Sequence, residues 1–202
     1  MKTYVYFLFI LLPVLTGCMS EKRIVRKYYT LEIPVDKLPA ATDSVPVPVI
    51  RGTCQIDQAE VGQVYDKNQI VNRTGSNEVN YYVYHQWAIR PSDAVKELVL
   101  EYLRSAGVFE SVTTGYQRSV PDYRFRTLIS RLEFVENNRS SSASLSLEFR
   151  LINVSDDRMI LNHKADTTYS LEGKDMNLFA TGVSRMICRE LDVFTGMIRD
   201  NK

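Results

Sequence analysis

From Ser144 to Leu151 apolar and polar residues alternate without a break, with Leu145, Leu147, Phe149 and Leu151 on one side and Ser144, Ser146, Glu148 and Arg150 on the other. A period of two is the signature of a strand that buries one face. Tyr123 to Val135 is a second long strand, whose apolar phase changes near Thr127-Leu128, as a bulge or burial on both faces would require. The polar, serine-rich stretch Glu136 to Ser142 joins these two as a hairpin. Asn153 to Asp157 makes the next turn, and Met159 to Leu171 returns as a third strand.

The period lengthens to 3.6 in two places. Pro91 or Ser92 opens a helix in which Ala94, Val95, Leu98, Val99, Tyr102 and Leu103 form one stripe, and Gly107 closes it where a left-handed residue is favoured. A terminal helix runs from about Asp175 to Arg199, with Phe179, Val183, Met186, Ile187, Leu191, Phe194, Met197 and Ile198 on its apolar face. Four shorter strand signals precede or separate these. They are Tyr28 to Ile33, Val49 to Ile56, the hairpin of Gln69–Asn72 with Val79–Tyr84 around Arg73 to Asn77, and Ser111 to Thr113. Prolines 34, 39, 46 and 48 make residues 34–48 an extended connection. The pattern predicts one α+β domain over residues 28–202: a mostly antiparallel sheet of about six to eight strands with two helices packed on one face.

The start of the chain changes the picture. Lys2 is followed by an uncharged run from Thr3 to Cys18 whose apolar part is too short to span a bilayer, which needs about 20 helical residues. A positive start, a brief apolar run and small residues describe a secretory signal. Leu15-Thr16-Gly17-Cys18 resembles the bacterial lipobox. That resemblance implies a signal at 1–17, a diacylglyceryl group on the sulfur of Cys18, an acyl chain on its amine and a tether over 18–27. Two acyl chains already hold a protein stably to a membrane. Met19 follows the cysteine without an acidic cluster, which by resemblance to sorted lipoproteins favours the periplasmic leaflet of the outer membrane.

Composition removes several classes of function. Lys2 is the only charged residue of the signal, so the mature chain carries 24 side chains of each sign, an unpromising balance for nucleic acid. His85 and His163 have no acidic or cysteine partner at fixed spacing, and neither a phosphate-cradling glycine loop, a CxxC nor an HExxH is present. The reading is of a protein that is not an enzyme and has no metal or cofactor beyond the lipid on Cys18. Cys54 and Cys188 could form a disulfide in an oxidising compartment or stand as two buried thiols. Tyr81, Tyr82, Tyr84 and Trp87, with Tyr28 and Tyr29, are candidates for a partner or lipid contact, against the plainer reading of strand core and edge. Arg118, Arg124, Arg126 and Arg131 are candidates for headgroups or an acidic partner, or form a solvated strand face.

The order of these pieces resembles the ABC-type transport auxiliary lipoprotein family. Tyr28-Tyr29-Thr30-Leu31-Glu32, Gln69-Ile70-Val71 followed by Val79-Asn80-Tyr81-Tyr82, and Trp87-Ala88 leading to Pro91 carry the resemblance, with Gly107-Val108-Phe109 and Leu128 to Glu133. It implies a non-enzymatic periplasmic lipoprotein working with a mammalian-cell-entry (MCE) domain protein, an ABC permease and an ATPase to move lipids or other hydrophobic substrates between the membranes. Because some relatives form rings, it also makes a homo-oligomer a candidate state. The alternative is a lipoprotein that assists assembly of an outer-membrane barrel or secretin.

Overall fold

A computed structural model describes residues 25–37, 48–115, 120–137 and 140–201. Its spine is β7, Tyr123–Glu136, which pairs antiparallel with β8, Ser141–Asn153, along its whole length. Beyond β8 lies β9, Arg158–Leu171, so the three strands form the expected antiparallel meander. The phase change in β7 is a bulge: the register slips between Ile129 and Arg131, slightly later than the sequence pattern indicated. It lets Phe125, Ile129, Leu132 and Phe134 all be buried on the helix-facing side.

The other edge of β7 is shared by three short strands in turn. β2 (Ile50–Ile56), β3 (Glu60–Val61) and β4 (Gln69–Arg73) each pair with it in parallel. β6 (Phe109–Thr113) adds in parallel to β2. On the far side, β5 (Val79–Trp87) pairs antiparallel with β4, and β1 (Lys27–Tyr29) closes that edge in parallel with β5. The α+β class holds, but among the described residues the sheet has nine strands, more than the pattern predicts, and is mixed rather than mostly antiparallel. Hairpins announce themselves through their turns, whereas parallel partners lie far apart in sequence and leave no local signal.

Both helices pack on one face, α1 (Pro91–Ala106) over β2, β3 and β6, and α2 (Met176–Asp200) over β8, β9 and β1. Pro91 fits the first turn of α1 because its missing N–H would have no partner there. Gly107 ends α1 with φ 58° and returns its N–H to the carbonyl of Arg104. Asp175 caps α2 by accepting the N–H of Asn177 at 2.7 Å. Between the layers, Phe194 meets Phe125 edge-on at 5.2 Å and Phe149 at 6.0 Å, and Phe179 meets Trp87 and Phe134 at 5.7 Å each. Every residue of the expected α2 stripe is buried except Met197, which is partly covered. Among the described residues, no helix is long and apolar enough to cross a membrane.

Candidate functional site

The described chain enters the sheet at β1, so the elements nearest the N-terminal segment are β1, β5 and the turn that follows β1. That turn is fastened to α2. The N–H of Glu32 donates to Ser184 Oγ at 3.2 Å, Arg185 grips both carboxylate oxygens of Asp36 at 2.9 and 3.1 Å, and Lys37 pairs with Asp192 at 2.7 Å. The fork-to-fork geometry of Arg185 with Asp36 fixes the direction as well as the position of the segment. Beside these contacts an open hollow of about 320 Å³ is lined by Tyr28 to Thr30 and Glu32 to Val35 on one side and by Asn177, Ala180, Thr181 and Ser184 on the other.

The aromatic residues of β5 divide between core and surface. Trp87 is 2% exposed and packs on Phe179, so it is a core residue, not a partner or lipid contact. Tyr82 is half-buried against His85 and Phe134. Tyr81 and Tyr84 are exposed, and Tyr28 on β1 is more so. Tyr29 turns inward, where its hydroxyl meets His85 Nδ1 at 2.7 Å and its ring stacks on the imidazole. Burial, with the positive charge of Lys27 adding to it, holds His85 below the usual imidazole range. Burial likewise raises the Tyr29 phenol.

His163 lies on β9, which is separated from β5 by three strands, and pairs with Glu190 of α2 at 2.8 Å. The two histidines are therefore not brought together. Among the described residues, no group of three or more His, Cys, Asp or Glu side chains could hold a metal ion. Cys54 and Cys188 are free and buried, so the bridge considered from the sequence is not formed. Cys54 sits on β2 and Cys188 on α2, and burial pushes the Cys188 thiol up to about 12 and the Cys54 thiol higher still. Cys18 lies outside the described residues.

The arginine face is a network of ion pairs. Arg124 and Arg126 share Asp57 at 3.5 and 3.3 Å, and Arg131 meets Asp166 at 2.6 Å. Arg150 and Lys164 flank Glu148 on the same face of the sheet. Matched charges of this kind fit the solvated strand face better than a cationic receptor. Arg118 lies outside the described residues. One group the sequence reading missed is Glu133, 1% exposed on this same face, which accepts from Arg73 Nε at 2.7 Å and Tyr65 Oη at 3.1 Å. Its only signal was an acidic residue among apolar ones in β7.

The profile of the family described as ABC-type transport auxiliary lipoprotein component matches residues 29–191, from the end of β1 to the last third of α2. The chain belongs to this family. It is thereby an auxiliary lipoprotein of ABC-type transport and a membrane-anchored protein of the cell envelope. No curated protein matches it. Among solved structures, a Xanthomonas campestris protein of family DUF330 is 17% identical with a TM-score of 0.64, covering 79% of this chain and 97% of its own. A second crystallised protein, uncharacterised, is 11% identical with a TM-score of 0.66 and covers 86% and 99%. Identities this low establish the shared fold of the auxiliary lipoprotein and no more. The PelC dodecamer of Paraburkholderia phytofirmans, at 13% identity, 73% and 92% coverage and a TM-score of 0.44, is too distant to bear on assembly.

Proposed function

We propose that this auxiliary lipoprotein is a non-enzymatic docking component of an MCE-type ABC system that moves phospholipid or another hydrophobic substrate between the inner and outer membranes. Its leader is residues 1–17, its lipidated tether 18–27 and its docking domain 28–202, held at the periplasmic leaflet of the outer membrane. The observation that carries the reading is the family match over residues 29–191 behind Leu15-Thr16-Gly17-Cys18. A tether of about nine residues reaches roughly 30 Å fully extended, so an MCE protein with its permease and ATPase must bridge the remaining distance.

The test is the exchange of radiolabelled phospholipid between separated inner and outer membranes. Deleting the gene slows that exchange, the wild-type chain restores it, and a Cys18→Ala chain does not. Unchanged lipid exchange with misassembled outer-membrane barrels or secretins would instead establish the assembly-factor alternative.

A further inference from the structure

We propose that the sheet edge bearing Tyr28, Tyr81, Val83 and Tyr84 lies in the headgroup region of the bilayer that holds the chain. The proposal rests on the lipid anchor at Cys18 and adds which face of the domain meets the membrane. Tyr28 is 58% exposed, Val83 60% and Tyr84 45%. Tyr28 pairs with Gln86, so Tyr84, two residues along β5, is its diagonal neighbour across the strand pair. Val83 lies in the irregular stretch of β5 between the paired residues Tyr81 and Gln86. Tyr81 is 36% exposed, and the Lys67 ammonium stands 4.6 Å over its ring. Tyrosine rings flanked by long cationic side chains suit the boundary between water and acyl chains, where the ring is dry and the hydroxyl wet.

The occupant follows from chain length and charge. Six residues lie between Cys18 and Val25, a span of about 25 Å at full extension. β1, an edge strand, is therefore the element nearest the anchored end. The approach to β1 carries Lys22, Arg23, Arg26 and Lys27 against Glu21. Cations this close to an anionic leaflet each attract it by about 1 kcal/mol. A protein partner would need a complementary acidic surface, whereas the bilayer is already within reach.

The sole tryptophan, Trp87, is 2% exposed in the core, so an introduced indole reports on its own surroundings. Full-length chain purified from membranes is reconstituted into vesicles of phosphatidylethanolamine and phosphatidylglycerol, with or without brominated acyl chains. Tyr84→Trp is compared with Ile160→Trp, an exposed site on β9, four strand spacings or about 19 Å across the sheet. Brominated lipid quenches Tyr84→Trp and leaves Ile160→Trp unchanged. Arg26→Gln and Lys27→Gln each shift the docked-to-free ratio about five-fold. Equal quenching of the two reporters, or none at Tyr84→Trp, overturns the proposal. So does a Tyr84→Trp emission that responds to protein density and not to bromine, which would make the face a contact between copies. Intact mass of the same sample reads the acyl chains on Cys18 separately, so a failed anchor is distinguished from a failed face.

Discussion

Arg73 Nε lies 2.7 Å from Oε1 of Glu133, a carboxylate that is 1% exposed on the open face of the sheet. Arg73 ends β4 and Glu133 lies near the end of β7, so one ion pair ties the parallel strand to the spine. Tyr65, from the loop after β3, adds a hydroxyl to the same carboxylate at 3.1 Å. Removing Arg73 leaves the charge buried with that hydroxyl alone. Arg73→Met is expected to cost about 3 kcal/mol, the low end for a broken buried pair because the guanidinium side is partly exposed. Urea unfolding measures it. The double variant Arg73→Met with Glu133→Leu should recover most of the loss, since replacing both charges removes the unpaired one.

Gly52 lies where the register of β2 shifts against β6, with φ 113°, a conformation side chains rarely adopt. An added Cβ would also stand 2.6 Å from Oδ2 of Asp122, the carboxylate that accepts the Thr53 N–H at 2.7 Å. Gly52→Ala is expected to destabilise by roughly 1–3 kcal/mol from backbone strain, with the lost hydrogen bond in addition. A thermal midpoint equal to that of the parent chain would show that this irregular stretch of β2 relaxes at no cost.

His85 gives the fold a dependence on pH. Its folded pKa lies below the usual value of 6.5, so the unfolded state binds the proton more readily. The contribution is complete above pH 6.5 and is lost as pH falls through 6.5 toward the folded value, with a slope of at most about 1.4 kcal/mol per pH unit. Unfolding free energy measured from pH 7.5 downward should fall more steeply for the parent chain than for His85→Gln. Parallel curves for the two would contradict this.

Cys54 and Cys188 are expected to stay unreactive while the domain is folded. Their thiols are buried and ionise only near pH 12 or above, and the thiolate is the reactive form. Alkylation by iodoacetamide at pH 8 should be slow in buffer and rapid in urea. Rapid modification of either cysteine in the folded chain would overturn the placement.

Elements with a local physical cause were readable from sequence. Pro91 and Gly107 bounded α1, the 3.6-residue stripe marked α2, and the alternation from Leu145 to Leu151 marked the centre of β8. β3 escaped because Glu60-Val61 is too short to show a period. The parallel partners of β7 escaped because pairing across distant segments leaves no turn between them. The site was readable in part. Tyr81, Tyr82, Tyr84 and Trp87 were seen as a group, but the slipped register of β5 hides which side chains turn inward, so core Trp87 looked like exposed Tyr84. Whether Cys54 could bridge Cys188 is a matter of distance, which composition and spacing do not encode.

The central claim is that the domain works by docking to a transport assembly, and its partners decide it. Full-length chain is crosslinked in intact cells, affinity-purified in mild detergent, and its partners are identified by mass spectrometry. An MCE-domain protein should be recovered together with an ABC permease and an ATPase. Recovery of an outer-membrane barrel or secretin without any transporter component would contradict it.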